Sequence, residues 1–420
     1  MLSPIASERR VVSSSPPKPA PSTRIRGFIV MSAIDVTPTC GKQRWDHKGL
    51  VGPVVAGGVE PLFIQSSYAA SVARRGRMMP SRTFIAPLHG LRGIAALLVV
   101  IGHAKEVTQF PVGLPIDPSL GVMLFFVLSG YLMGALYLPV RFTGPTGWSY
   151  AVARFARIYP LFMLTVVGSV LLPIYGATWF RFDWAAVPAH LLFVGDGLTV
   201  WTIAVECQFY ALFVAIWWLY DRVPSQRDTV LLLLITLAIG LLILWGLHGD
   251  RNALNRYLHL FFMGLAVSAL VRRVGADAAI KRIAGYALPL VAAAFLLSYF
   301  MRQGGPAFTE IYADLTVSLV TMMLVLCAVL APASMAGRLL GSTPMVWLGE
   351  LSFGIYLLHR PVLLAVENSG MTVGLHPALQ TLAVVVLSIA VALPAHWLIE
   401  RPARQAIRRL ASVKATAAPA

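Results

Sequence analysis

Arg92 and His103 lie near the two ends of a mostly apolar stretch of the sequence, which runs from Leu88 to Ala104 and has His89 at its start. Their spacing of eleven residues corresponds to about three turns of an α-helix, so both lie on one face, about 16 Å apart. Arginine binds anions and histidine transfers protons near neutral pH, whereas either residue is costly to expose to lipid. The pair therefore indicates a reaction site inside a helix bundle. The alternative is an arginine that reaches the lipid headgroups and a histidine that is hydrogen-bonded within the bundle.

A carboxylate, Glu206, lies in a second apolar stretch, from Trp201 to Tyr210. Helical rise places it about 12 Å from the outer end of that stretch. A carboxylate at this depth needs a partner, and it indicates a functional site. A hydrogen bond from His103 to Glu206 is allowed by the geometry and would set the imidazole tautomer and raise its basicity. The alternative is a structural glutamate that is paired with an arginine.

Two arginines, Arg154 and Arg157, lie three residues apart at the start of another predicted helix. This spacing puts them on one face, and the dipole of the helix N-terminus also favours an anion there. Guanidinium groups donate hydrogen bonds in pairs and stay charged, which suits phosphate. The pair therefore predicts a phosphate-binding site at the cytoplasmic mouth of the bundle. Ordinary anchoring by positive charges on the cytoplasmic side is the alternative.

Three further residues are candidates for lining the same cavity. Ser129 and Tyr131 lie in a predicted second span, where Ser129 and Gly130 are also small enough to let a neighbouring helix approach closely. His359 lies in a late span, just before Pro361. We expect a helix break at this proline, which gives His359 a structural explanation as well.

The composition is that of a membrane protein. Of the 420 residues, 57% are hydrophobic and 12% charged, and the mean hydropathy is +0.73, whereas soluble domains are about a quarter charged. The net charge of +16 does not indicate nucleic acid, because no basic run is interleaved with aromatic residues. The three cysteines are scattered, so neither a disulfide framework nor a metal site is expected.

Apolar segments of membrane-spanning length follow one another from Phe84 onward, so the predicted fold is all-α and polytopic, with about ten transmembrane helices. Ten spans place both termini on one side. A cytoplasmic N-terminus leaves few basic loop residues outside, in agreement with the positive-inside rule. The predicted spans are 87–106, 120–138, 155–174, 198–219, 229–248, 255–271, 284–301, 312–331, 346–366 and 378–399. The outside basic residues are Lys105, Arg181, Arg251, Arg256 and Arg302.

The chain divides into three parts by composition. Residues 1–84 are rich in Pro, Ser, Ala and Arg and are expected to be a disordered basic tail or an over-extended start. Residues 85–405 form the predicted transmembrane domain, and residues 406–420 are predicted to be a disordered C-terminal tail. The segment from His396 to Pro402, at the end of the last span, is interpreted as an interface anchor.

Taken together, these segments resemble the acyltransferase-3 family of membrane O-acyltransferases over about residues 87–405. The order and spacing of six segments carry the resemblance. They are the helix with Arg92 and His103, the segment from Phe125 to Tyr131, the Arg154 and Arg157 pair, the segment from Trp201 to Tyr210, the segment from Ser352 to His359, and the closing segment from Ile399 to Pro402.

The resemblance implies an integral enzyme of the bacterial inner membrane. Such an enzyme takes an acyl group from cytosolic acyl-CoA, usually acetyl-CoA, and passes it to a hydroxyl of a cell-surface or secreted carbohydrate or glycolipid, with no resident cofactor. It also implies that His103 is the essential base and that Arg92, Arg154 and Arg157 serve the CoA side. Expected partners are the lipid bilayer and, where present, glycan-assembly proteins.

Two departures from the family pattern affect these expectations. Many members have a second acidic residue after the matched glutamate, whereas this chain has Cys207, so a role that needs two carboxylates is in doubt. Some members carry an extracytoplasmic hydrolase-like domain, for which there is no room after about residue 405. We therefore expect the membrane domain or a partner protein to handle the acceptor.

Two mechanisms and one competing class of function stay open at this level. His103, oriented by Glu206, can serve as base in direct transfer, or His103 or Ser129 can carry a covalent acyl group. The group that stabilises the oxyanion is not identified by the sequence. A transporter or flippase for a lipid-linked glycan also needs many helices and intramembrane charges. It predicts inverted repeats with broken helices, which the sequence does not display.

Overall fold

The computed structural model describes residues 84–108, 116–172, 183–194, 201–245, 253–298 and 311–417. Within these ranges the chain is helical and contains no β-strand, which confirms the predicted all-α fold. The predicted N-terminal tail, residues 1–84, lies outside the described residues except for Phe84. The helices are α1 (Ala86–Thr108), α2 (Pro118–Tyr137), α3 (Gly144–Leu171), α4 (Val187–Leu191), α5 (Trp201–Arg222), α6 (Arg227–Trp245), α7 (Leu258–Val274), α8 (Ala278–Leu297), α9 (Leu315–Leu330), α10 (Met335–Leu340), α11 (Thr343–Ser369), α12 (Pro377–Ala395) and α13 (Arg401–Ala417).

Seven described helices are long and apolar enough to cross a membrane, so the predicted number of ten is not confirmed. The seven are α1, α2, α3, α5, α6, α8 and the continuous run of α12 and α13. Helices also occupy the other three predicted spans. However, α7 has 17 residues and α9 has 16, and α11 carries Glu350, Arg360 and Glu367 along its 27 residues.

Four helices form the centre of the bundle. Helix α1 packs between α2 and α11, and the opposite side of α2 packs on α7. By contrast, α6, α8 and α12 are mostly exposed. Residues on the exposed helices include Leu232, Leu290 and Leu382, which are suited to contact with lipid. His359 of α11 is completely buried in this centre and therefore faces neighbouring helices and not the lipid.

The contact between α2 and α7 depends on two glycines. A Cβ atom on Gly130 would lie 2.0 Å from the carbonyl oxygen of Phe261, and one on Gly264 would lie 2.1 Å from the carbonyl oxygen of Val127. Neither backbone leaves room for a methyl group. The prediction that small residues here allow close helix approach is therefore confirmed for Gly130.

We expect Gly130→Ala to destabilise the protein by about 3 kcal/mol or more, because the added methyl group must push two helix backbones apart. Gly240→Ala is the matched control, since a Cβ atom there meets no atom within 4 Å and alanine is the better helix former. Thermal unfolding of both purified variants in the same detergent measures the difference. Equal unfolding temperatures would contradict the close contact.

Two local predictions differ from the structure. Helix α11 continues through Pro361 without ending, because neighbouring helices in a bundle support a helix interior that lacks one hydrogen bond. Residues 406–417, predicted as part of a disordered tail, continue helix α13. Helix α13 packs against α3, and this contact gives it the tertiary support that a short isolated helix lacks.

Candidate functional site

His103 lies near the C-terminal end of α1 and is half-buried. Its Nδ1 atom is 2.9 Å from the carbonyl oxygen of Val99, one turn earlier in the same helix. A carbonyl oxygen only accepts, so Nδ1 carries the proton in this hydrogen bond. In the neutral ring Nε2 then holds the lone pair, and this is the nitrogen that is able to accept a proton from a substrate.

His359 of α11 lies beside His103. The two ring centroids are 5.1 Å apart, and the side chain of His359 is completely buried. Its Nδ1 donates to the carbonyl oxygen of Tyr356 at 2.5 Å, which leaves Nε2 as the acceptor. This Nε2 is buried and has no hydrogen-bond partner among the described residues. A buried acceptor without a donor is unusual, and it marks a position where a substrate hydroxyl could donate.

Glu206 of α5 contacts α2 and its own helix. Its Oε1 accepts from the Ser129 hydroxyl at 2.6 Å and from the Tyr210 hydroxyl at 2.5 Å. The expected hydrogen bond between Glu206 and His103 stays a prediction. The Val99 carbonyl, one helical turn before His103, sets the tautomer of the His103 ring.

Arg154 of α3 is connected to Glu206 through Tyr210. The guanidinium of Arg154 lies over the rings of Tyr210 and Tyr137, 5.6 Å and 5.9 Å from their centroids. The Tyr150 hydroxyl donates to the Tyr210 carbonyl at 2.9 Å and so fixes α3 against α5. Cation–π contacts with buried rings hold Arg154 in place without neutralising its charge.

Tyr356 joins the two parts of the site. Its hydroxyl is hydrogen-bonded to that of Thr202, its ring centroid is 5.9 Å from that of His359, and it interacts electrostatically with Glu206. We call the series Arg154, Tyr210, Glu206, Tyr356, His359 and His103 the polar path. Its neighbouring members are linked by hydrogen bonds or ring contacts, except for Glu206 and Tyr356, which interact only electrostatically.

Not every predicted residue joins the polar path. Tyr131 is buried on α2, and its described electrostatic partner is Arg272 of α7. Arg157 lies one turn beyond Arg154 and interacts electrostatically with Tyr210. Arg92 is half-buried on α1, nearer its N-terminal end than His103.

Sequence reasoning missed Tyr210 and Tyr356 as members of the site. Helical spacing offered a signal, because Tyr210 follows Glu206 by four residues and Tyr356 precedes His359 by three. Each tyrosine therefore lies on the same helix face as a candidate residue. Only the packing of α5 against the other helices shows that these faces meet.

Comparison with known proteins gives one family and several relatives. The profile of the acyltransferase-3 family, described as an acyltransferase domain, matches residues 85–397. The peptidoglycan O-acetyltransferase OatA of Listeria monocytogenes is 25% identical over 342 residues, which cover 67% of this chain and 50% of the relative. The O-acetyltransferase OatA of Staphylococcus aureus is 24% identical over 373 residues, which cover 79% of this chain and 59% of the relative.

A third relative, YrhL of Bacillus subtilis, is 26% identical over 375 residues, which cover 76% of this chain and 55% of the relative. The chain thus spans about half the length of these curated relatives. No solved structure shows significant similarity to it. The apolar helices and the membrane relatives together identify an integral membrane protein, and the family profile covers most of the chain. The protein belongs to the acyltransferase-3 family.

Proposed function

We propose that this protein is a membrane O-acetyltransferase that moves an acetyl group from acetyl-CoA to a hydroxyl of a cell-wall carbohydrate of the peptidoglycan type. Family membership and the names of the relatives from Listeria and Staphylococcus support the reaction type and the class of acceptor. The observation that carries the proposal is the imidazole pair. Two adjacent rings, on His103 and His359, each donate through Nδ1 to a helix carbonyl, so that Nε2 remains the basic nitrogen.

The transfer step follows from this arrangement. The acceptor hydroxyl gives its proton to Nε2 of His103 as its oxygen attacks the thioester carbon. The new C–O bond forms, the C–S bond breaks, and the CoA sulfur leaves and takes the proton back from Nε2 of His103, which gives the free thiol and restores the neutral ring. A second hydroxyl of the sugar is suited to donate to Nε2 of His359, which holds the acceptor beside the base.

In this proposal the phosphates of the donor are bound by Arg154 and Arg157, together with Arg92. The polar path connects the arginine pair to the imidazole pair, so a donor held at the arginines extends its pantetheine arm toward His103. Glu206 has a positioning role, because its Oε1 accepts from both Ser129 and Tyr210 and so ties α2 to α5.

The membrane arrangement is part of the same proposal. With α7, α9 and α11 counted beside the seven long apolar helices, the proposed number of spans is ten, which leaves both termini on one side. We take that side to be the cytoplasmic side of a bacterial inner membrane. The distribution of Lys and Arg among the loops supports this orientation. It places the Arg154 and Arg157 pair on the side where acyl-CoA is available.

The proposal is tested with the purified full chain in liposomes, given acetyl-CoA with a labelled acetyl group and soluble peptidoglycan fragments. We expect free CoA thiol to appear together with an alkali-labile label on the glycan, because an ester is formed. A mixed pool of other hydroxylated glycans in a parallel reaction identifies a different acceptor class. If the wild type uses no acetyl-CoA but moves a lipid-linked sugar across the vesicle membrane, the protein is a transporter and the proposal fails.

A further inference from the structure

The C-terminal helix brings a third arginine to the arginine pair of α3. Helix α13 packs along α3, and Arg404 of α13 interacts electrostatically with both Arg157 and Arg154. From the sequence, the segment from His396 to Pro402 at this end of the chain is interpreted only as an interface anchor. That interpretation fits Arg401, whose guanidinium lies 4.5 Å from the centroid of the Trp397 ring, but it does not fit Arg404.

A histidine of α1 reaches the same place. His89 interacts electrostatically with Arg157, so α1, α3 and α13 each bring a nitrogen-bearing side chain to one region. The position of His89 is fixed by a tight contact, since a Cβ atom on Gly349 of α11 would lie 2.0 Å from the His89 carbonyl oxygen. The four residues His89, Arg154, Arg157 and Arg404 are called the basic cluster below.

Three nitrogen atoms of the basic cluster are buried without hydrogen-bond partners in the described part of the chain. They are Nδ1 of His89, Nε of Arg154 and Nε of Arg404. Native proteins leave few buried polar atoms unpaired, and a bound ion or ligand is a common reason for those that are. Guanidinium nitrogens are donors only, so an acceptor is the missing partner for both arginines.

The carboxylate beside the basic cluster is already shared. Oε2 of Glu400 lies 3.5 Å from Nη2 of Arg404 and 3.3 Å from Nδ1 of His396. Glu400 ends a π-helical turn, His396–Glu400, which joins α12 to α13, and such turns occur frequently at functional sites. One carboxylate cannot balance three arginines, so the region keeps an excess of positive charge that favours a polyanion.

We propose that Arg404 and His89 extend the donor-phosphate site of the arginine pair, so that Arg404 of α13 is a third guanidinium that binds the phosphates at the nucleotide end of acyl-CoA. The choice of a nucleotide rests on the proposed function, whereas the need for an anion rests on the contacts described above. A phospholipid headgroup has the same phosphate chemistry, and the experiment below separates the two sources.

The test uses the purified full chain in a sugar-based detergent without phosphate, titrated with adenosine 3′,5′-bisphosphate and with CoA. We expect both probes to bind the wild type and adenosine not to bind. Arg404→Ala should weaken both affinities about tenfold, which is the range for one hydrogen-bonded charge contact. Arg401→Ala removes the same charge from the same helix, and its affinities should stay within about twofold of the wild type, because the Arg401 guanidinium lies against the Trp397 ring and outside the basic cluster.

Two further variants keep the test decisive where Arg404→Ala fails to accumulate. Arg404→Lys keeps the charge but loses the planar fork, so we expect an intermediate loss of affinity. Glu400→Gln removes the competing negative charge, and we expect it to tighten nucleotide binding by about threefold at low salt. A purely structural role for the pair of Glu400 and Arg404 predicts weaker binding in Glu400→Gln, which would overturn the proposal.

The outcomes separate this inference from the proposed function. Acetyl transfer with unchanged nucleotide affinity in Arg404→Ala overturns the phosphate site and leaves the enzyme proposal standing. Arg404-dependent nucleotide binding without any acetyl transfer supports the site and overturns the enzyme proposal. A third arm uses nanodiscs with and without phosphatidylglycerol. If Arg404→Ala changes only the binding of this lipid, the phosphate belongs to a headgroup and the nucleotide assignment is wrong.

Discussion

Replacement of His103 by Ala is expected to lower kcat/KM for acetyl transfer by about 10²–10⁴-fold, the range that a general base contributes. The Nδ1 atom of His103 is bonded to the Val99 carbonyl, so the ring already has the tautomer that a base requires. Removing the ring leaves the acceptor hydroxyl without a proton acceptor in this position. The measurement is release of CoA thiol by purified wild type and variant at equal protein concentration.

Two comparisons distinguish a base from a structural histidine. Added imidazole should restore part of the activity of His103→Ala, because the vacated space admits a free ring, whereas a packing defect would not respond. His376→Asn is the matched control, since His376 is exposed and only caps α12 by accepting from the Ala378 amide at 3.2 Å. Activity in His103→Ala within threefold of the wild type would contradict the assignment.

Arg154→Ala and Arg157→Ala are each expected to raise KM for acetyl-CoA by about 10- to 100-fold, with a smaller change in kcat. A hydrogen bond to a charged group contributes about 1.5–3 kcal/mol, and tenfold corresponds to about 1.4 kcal/mol. Arg154 should have the larger effect, because the rings of Tyr137 and Tyr210 hold its guanidinium in place before the donor binds. Initial rates over a range of acetyl-CoA concentrations give both parameters.

The control for the arginines is Arg273→Ala. Arg273 pairs with Asp228 on the exposed surface, where an ion pair contributes little, so KM should not change. Higher salt should raise KM for the wild type more than for Arg154→Ala or Arg157→Ala, because the variants have lost part of the screened attraction. A fall in kcat at unchanged KM would place the arginines in the chemical step and contradict a role in donor binding.

Local patterns in the sequence determined much of the fold. Apolar runs of about 20 residues predicted the helices, because each span must satisfy its own backbone hydrogen bonds and present an apolar surface. The same periodicity placed Arg92 and His103 on one helix, α1, and Arg154 and Arg157 one turn apart on another, α3. Helix ends were less certain, since Pro361 lies within α11 and the chain remains helical after residue 405.

Contacts between helices were decided only by the tertiary structure. Glu206 accepts from Ser129, 77 positions away in the chain, because the rotation of α5 about its axis depends on how it packs against α2. Hydrophobic periodicity identifies the polar face of a helix. It contains no information about which face of which other helix packs against it.

Arg404 illustrates the same limit at the end of the chain. Its sequence context is that of a basic tail beyond the last span, and only the packing of α13 on α3 brings it to Arg157. The sequence by itself thus determined the helices, the family and the residues suited to the chemistry, since these depend on local hydrophobicity and residue type. The tertiary structure alone decided which of these residues are partners, because that depends on side-chain packing between helices far apart in the chain.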